Sequence, residues 1–132
     1  MELFRLGAAE KRKLGAEERV TYQGEQLRIV LTRLPPFHLQ KIHRHELLFD
    51  ATYVITGDVA VIEETQSGRE RVILRSGDFV ILDPGPFHTL ENASGEEALL
   101  LTIKSVRRPD LTREAFLRIC EEDWYPRSDT RA

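Results

Sequence analysis

A chain of 132 residues is long enough to form one domain whose core needs neither disulfides nor a structural metal. Its 41% apolar and 31% charged residues indicate an ordered globular protein, and its net charge of −3 argues against nucleic-acid binding, which usually shows as a basic excess. The single cysteine precludes an internal disulfide, and neither a signal peptide nor a membrane span is evident. We therefore expect a cytoplasmic protein with no nucleic-acid or membrane partner.

The middle of the chain is rich in strand-forming residues. The segment up to about residue 26 is mixed, with weak helical character over residues 8–14. From there on, short runs rich in Val, Ile, Leu, Tyr and Phe alternate with turns that contain Gly, Asp and Ser. The strand-like runs cover residues 27–34, 51–64, 71–83 and 98–106. Many short strands with no helix between them predict an all-β protein, a closed antiparallel sandwich or barrel.

After residue 108 the pattern becomes helical. We predict one amphipathic helix over about residues 110–122, with Asp110 as its N-cap. Its apolar residues recur at helical spacing: Leu111, Ala115, Phe116, Ile119 and Cys120. We expect this stripe to cover one end of the barrel or a partner subunit, with Cys120 as a small buried side chain and not a nucleophile.

Two histidines one residue apart form the first candidate site. In a β-strand, side chains at i and i+2 project to the same face, so His43 and His45 point together and Arg44 points away. A third histidine, His88, follows a Pro-Gly-Pro turn, and Asp50 begins the next predicted strand. Three imidazoles and a carboxylate suit a divalent ion such as Zn, Fe, Mn, Ni or Cu. The competing interpretation is a set of histidines that serve only as hydrogen-bonded polar groups.

Two other polar residues lie near this pattern in the sequence. Glu46 follows His45 directly and has the chemistry of a general base, although a solvated loop carboxylate is the simpler interpretation. His38 lies in a predicted loop after two prolines, where we expect a surface or pocket-rim residue and not a ligand.

These residues resemble the two sequence motifs of the cupin superfamily over about residues 27–106. The first motif, a His-x-His pair, a carboxylate and a glycine, is matched by His43, His45, Asp50 and Gly57. The second motif, which runs from a glycine to an asparagine, is matched by Gly77, Gly85, His88 and Asn92. There are three departures: Phe37 stands where the family has glycine, Asp83 where it has proline, and Asp50 where it usually has glutamate.

The resemblance implies one cupin domain over residues 1–132, a double-stranded β-helix or jelly-roll barrel with a short C-terminal α-helix. It also implies one divalent metal ion held by His43, His45, Asp50 and His88, and a homodimer. Asn92 is expected to support a turn. Aspartate is one methylene shorter than glutamate, so Asp50 either ligates the metal directly or orients a histidine by hydrogen bonding.

The sequence leaves open whether the protein is an enzyme. A three-histidine site with a weak or absent carboxylate suits a dioxygenase-like enzyme that acts on a small organic molecule. Isomerisation or decarboxylation of a small acid or sugar is equally compatible with these ligands. The alternative is a metal-containing barrel that binds or senses a small molecule without catalysis, and a structural dimer with a decayed site ranks below both. Fold alone does not decide between them.

Overall fold

The computed structural model of the chain describes residues 1–108 and 110–127, which contain eleven β-strands and one α-helix. The strands are β1 (Arg12–Leu14), β2 (Glu17–Gln23), β3 (Leu27–Leu34), β4 (His43–Arg44), β5 (Phe49–Thr56), β6 (Val59–Thr65), β7 (Gly68–Leu74), β8 (Phe79–Leu82), β9 (His88–Asn92), β10 (Ala98–Ser105) and β11 (Tyr125–Pro126). The helix is α1 (Arg113–Glu122), and a short 3-10 helix (Leu6–Ala8) precedes β1. The all-β prediction with a short C-terminal helix is confirmed.

The strands form two antiparallel sheets. The first sheet has the order β1-β2-β3-β10-β5-β8, and the second has the order β11-β4-β9-β6-β7. Sequence neighbours such as β3 and β4 therefore lie in different sheets, while β3 pairs with β10 over its whole length. Residues far apart in the chain are brought side by side by this topology.

The hydrophobic core lies between the two sheets. Its buried members come from both of them: Leu34, Val54, Val59, Val61, Leu74, Leu82, Leu90, Ala98 and Leu100. In β10 the even-numbered residues 98, 100 and 102 are buried and their odd-numbered neighbours are more exposed. This alternation is expected where one face of a sheet packs on a core and the other faces outward.

The N-terminal segment differs from its prediction. Residues 12–14, for which the sequence indicates weak helical character, form β1, and the unpredicted β2 follows. β2 pairs with β3 over residues 18–23, so its backbone hydrogen bonds come from the sheet. Tertiary pairing of this kind overrides a weak local helical preference.

The helix begins later than predicted. Its N-cap is Thr112, whose hydroxyl accepts a hydrogen bond from the Ala115 backbone N–H at 3.1 Å. The prediction of Asp110 as the N-cap is wrong, because the helix begins at Arg113 and its cap is the residue directly before it. Asp110 instead lies 3.4 Å from the Arg108 guanidinium. Phe116 is fully buried beneath the helix.

Two positions show why the sequence motifs contain glycine. Gly57 has φ +108, and a Cβ there would lie 2.7 Å from the Ala98 Cβ, closer than any packed pair. Phe37, which stands where the cupin pattern has glycine, has φ +57 and is the one described non-glycine residue with positive φ. A bulky residue in this left-handed region stores backbone strain.

Candidate metal centre

The four residues predicted to hold a metal come together between the sheets. His43 and His88 are paired residues on the neighbouring strands β4 and β9, and His45 directly follows β4. Asp50 reaches the same point from β5 in the other sheet. One ligand atom from each of these residues lies within 4.8 Å of all the others. The shorter side chain of aspartate therefore still reaches the cluster.

The imidazole nitrogens of this cluster are positioned to bind an ion. The Nδ1–H groups of His43 and His45 donate to the carbonyl oxygens of Lys41 and Asp123, which can only accept, so in a neutral ring the Nε2 atom is the one that carries the free lone pair. Among the described residues, the buried side-chain nitrogen and oxygen atoms that lack a hydrogen-bond partner are His45 Nε2 and both ring nitrogens of His88. Buried polar atoms normally have a partner, and an ion at the centre of the cluster would provide one.

The protonation states of His43 and Asp50 also favour metal binding. Burial lowers the pKa of His43 to about 4, so its imidazole is neutral near pH 7. Burial is also the largest influence on Asp50 and raises its pKa. Lys104, followed by the His45 and His88 imidazoles, outweighs it and holds the pKa of Asp50 well below its usual value. The site therefore combines neutral imidazole with carboxylate, the donor set that first-row divalent ions prefer.

The two oxygens of Asp50 have different surroundings. Oδ1 accepts a hydrogen bond from Lys104 Nζ at 2.9 Å. Oδ2 lies 3.5 Å from His45 Nε2 and 3.7 Å from His88 Nε2, which places it in the histidine cluster without a hydrogen bond to either ring. Direct ligation and a supporting role are both open to this carboxylate, and direct ligation stays a prediction.

A cavity of about 370 Å³ adjoins the cluster and extends through the space between the sheets. Its apolar walls include Val30, Leu48, Leu82, Leu90 and Leu100. Its polar walls include the hydrogen-bonded pair Thr52 and Thr102, whose hydroxyl oxygens are 2.9 Å apart. Helix α1 closes one side with Cys120, whose pKa is raised by burial, so the thiol stays protonated as the sequence indicated.

The segment after α1 supports the cluster. The buried Asp123 carboxylate accepts hydrogen bonds from the backbone N–H groups of Glu46, Leu47 and Leu48 at 2.7–2.8 Å, and its own carbonyl oxygen accepts from His45. The Trp124 ring lies 5.8 Å from the His43 ring, centroid to centroid. β11 continues this support by pairing with β4. The turn that carries His45 is therefore held by residues near the C-terminus.

The charged cavity residues missed by sequence reasoning include Arg28, Lys104 and Asp123. Arg28 and Lys104 follow the same i, i+2 alternation as the buried residues of β3 and β10, which was a usable signal. Asp123 carries no such signal, because its partners lie more than 70 residues earlier in the chain.

The remaining polar candidates lie outside the cluster. Glu46 is exposed and accepts a hydrogen bond from Arg44 at 2.9 Å, so it is a surface carboxylate. His38 Nε2 lies 3.0 Å from a carboxylate oxygen of the buried Glu17. The Asn92 amide donates to the carbonyl oxygens of Leu34, Pro35 and Glu96, which is the turn-supporting role expected of it.

Two facing antiparallel sheets with a histidine cluster and a cavity between them define a jelly-roll barrel with a candidate metal centre. A family model described as the cupin domain matches residues 30–104, and the chain belongs to this family. No significant match is found among curated proteins. No helix of the described residues is long and apolar enough to span a membrane.

Solved structures with the same fold differ widely in what they do. KdgF from Halomonas sp. is 20% identical, with a TM-score of 0.71, and the match covers 83% of this chain and 97% of that one. Oxalate decarboxylase from Bacillus subtilis is 20% identical, with a TM-score of 0.69, over 78% of this chain and 28% of the other. CENP-C from Drosophila melanogaster, bound to CAL1, is 17% identical, with a TM-score of 0.71, over 78% of this chain and 85% of the other. At these identities the likeness concerns the fold alone.

Proposed function

We propose that this protein is a metal-dependent cupin that binds one divalent ion through His43, His45 and His88, with Asp50 as the fourth group, and acts on a small organic molecule. The observation that carries the proposal is the set of buried imidazole nitrogens without a partner at one end of the cavity. A buried nitrogen without a partner costs about 1–3 kcal/mol, and an ion bound by these nitrogens would remove that cost. The donor set of three imidazoles and a carboxylate suits Fe, Mn, Zn, Ni or Cu.

The type of chemistry proposed is dioxygenase-like. Lys104 engages one oxygen of Asp50, which leaves a donor set dominated by three histidines. An ion held by these residues would supply Lewis-acid or redox chemistry to a substrate in the cavity. The protein's own residues orient the imidazoles through their Nδ1–H bonds, and the apolar walls exclude water from the reacting molecule.

The metal proposal is tested by elemental analysis of protein purified without chelators and of protein reconstituted with each ion. One ion per chain is expected, and it should be lost in His88→Ala. His38→Ala is the matched control, since this histidine pairs with Glu17 outside the cluster and its loss should leave the metal content unchanged. Absence of metal both after purification and after reconstitution would overturn the proposal.

A non-catalytic binding protein is the second candidate. It is favoured by one observation: among the described residues that line the cavity, the carboxylates are Asp50, Glu121 and Asp123, and the first and last already accept hydrogen bonds. A catalytic cycle that needs a further free acid or base has few groups to draw on. Oxygen uptake by the Fe(II)-loaded protein with thiols, diketones, flavonols or phenolic acids supports the enzyme. Binding of such molecules without turnover supports the second candidate.

The expected homodimer has a candidate surface on the outer face of the first sheet. Paired residues on neighbouring strands form an apolar row across it: Leu31, Leu101, Tyr53 and Phe79. Phe79 is 56% exposed, and it lies on β8, which pairs only with β5 among the described strands. A row without charge fits a second copy of itself, which presents the same apolar surface.

This surface is tested by the molar mass of the protein in solution. Light scattering is expected to give a dimer for the wild type and a monomer for Phe79→Arg. Val72→Arg, an exposed apolar position in the other sheet, should leave the dimer intact. A wild-type monomer, or a Phe79→Arg dimer as stable as the wild type, would contradict this role for the first sheet.

A further inference from the structure

Three charged residues form one cavity-facing row across the first sheet. Lys104 on β10 is paired in register with Arg28 on β3 and with Asp50 on β5. All three line the cavity beside the histidine cluster. Neighbouring strands are about 4.8 Å apart, so Arg28 and Asp50 stand two strand spacings, or about 10 Å, from one another.

The charges of this row are only partly balanced. Lys104 donates to Asp50 at 2.9 Å, and these two charges compensate one another. Arg28 has no such partner: its Nε–H donates to the neutral Gln23 side chain, and no carboxylate of the described residues lies within ion-pair distance of it. Like charges on paired residues destabilise a sheet, so the half-buried Arg28 beside Lys104 is unfavourable unless an anion compensates it.

The other charged residues around the cavity do not supply that anion. Arg19 is a further cation, and it pairs with Glu17 at 2.9 Å. The Asp123 carboxylate is engaged by three backbone N–H groups, as described above. Glu121 is exposed on the surface of α1. The Arg28 guanidinium, which has no carboxylate partner among the described residues, therefore faces a cavity whose own acidic groups are committed elsewhere or exposed.

We propose that the ligand of this cavity is a small carboxylate whose anionic group is held by Arg28, while the rest of the molecule extends along the apolar walls toward His43, His45 and His88. A guanidinium binds a carboxylate through two parallel N–H···O bonds, and one arginine is sufficient for this geometry. A phosphate is usually bound by several donors or a helix N-terminus, and the row offers one unpaired cation. The inference deepens the proposed function and rests on it for the reaction, although binding at Arg28 does not itself require the metal.

The test compares carboxylic acids with their own amides, which have the same shape and no charge. Calorimetric titrations with propionate, succinate and benzoate, their amides, and inorganic phosphate are carried out on metal-free and metal-loaded protein. At least one acid is expected to bind ten-fold or more tightly than its amide. Arg28→Gln should abolish this preference, and Arg28→Lys should retain only part of it. Arg33→Gln is the matched control, because Arg33 lies on the same strand and pairs with Glu18 and Glu97 on the outer side.

Three results would overturn the inference: no acid binds better than its amide, Arg28→Gln binds acids as the wild type does, or only phosphate shows a dependence on Arg28. Folding of Arg28→Gln is checked separately by its melting temperature without ligand, which should equal or exceed that of the wild type because an uncompensated charge is removed. An acid preference in protein that takes up no metal would support the carboxylate site and refute the metal-dependent function. Metal uptake without any acid preference would support metal binding and refute the carboxylate site.

Discussion

Replacement of Asp123 by alanine is expected to weaken both the fold and the candidate metal centre. Asp123 is 5% exposed, and its carboxylate accepts hydrogen bonds from three backbone N–H groups. The N–H of Leu48 is buried, so losing its hydrogen bond to the charged carboxylate costs about 1.5–3 kcal/mol. The N–H groups of Glu46 and Leu47 lie near the surface, where water replaces the lost acceptor at about 0.5–1 kcal/mol each. The expected loss in the free energy of unfolding is therefore about 2.5–5 kcal/mol, a large part of the 5–15 kcal/mol typical of a domain.

Urea denaturation of the metal-free protein measures this loss. Asp123→Asn keeps one acceptor oxygen and should lose about half as much as Asp123→Ala. Asp83→Ala is the matched control: Asp83 is an exposed aspartate in an ion pair with Arg107, and its replacement should change stability by no more than about 0.5 kcal/mol. A loss below about 1 kcal/mol for Asp123→Ala would refute the reasoning.

The same variants separate a general loss of stability from a specific effect on His45. The Asp123 carbonyl oxygen accepts the His45 Nδ1–H, so movement of this segment misorients the imidazole. Metal affinity, measured at a temperature where all variants are folded, is expected to fall 10–100-fold in Asp123→Ala, as for other groups that orient a metal-binding histidine. An unchanged affinity would mean that Asp123 supports only the fold.

Two further predictions concern stability. Gly57→Ala should lower the free energy of unfolding by about 2–4 kcal/mol, because the added Cβ would collide with Ala98. Gly68 has a similar positive φ but open space around it, so Gly68→Ala should cost only about 1–2 kcal/mol. Equal losses for the two variants in chemical denaturation would contradict the collision. Burial is the largest influence on Glu17 and raises its pKa, but Arg19 and the hydrogen bonds to the carboxylate outweigh it and hold that pKa below the ordinary 4.5. The stability from this ionised group is present above pH 4.5 and is lost as pH falls through the lowered pKa. Chemical denaturation at a series of pH values below 4.5 should therefore show a steeper loss of stability for the wild type than for Glu17→Gln, and parallel slopes would contradict this role of Glu17.

Much of the candidate site could be predicted from local patterns. His43 and His45 share a face because side chains alternate along an extended chain, and the structure brings both to one point with His88. Gly57 has the positive φ that its place in a turn requires. The strand-like runs predicted the all-β class because alternating burial leaves a period of two residues in the sequence. These features depend on residues close together in the chain.

The rest depends on which distant residues become neighbours. Lys104 stands between Arg28 and Asp50 only because β10 pairs with β3 and β5 in one register, and a shift by a single residue would turn Lys104 to the outer face. Asp123 reaches the turn at residues 46–48 only because the segment after α1 docks there. Sequence alone therefore determined the fold class and the four candidate metal ligands. The tertiary structure decided the surroundings of Asp50, the free charge of Arg28 and the support of His45, because strand register and helix docking are set by packing over the whole molecule.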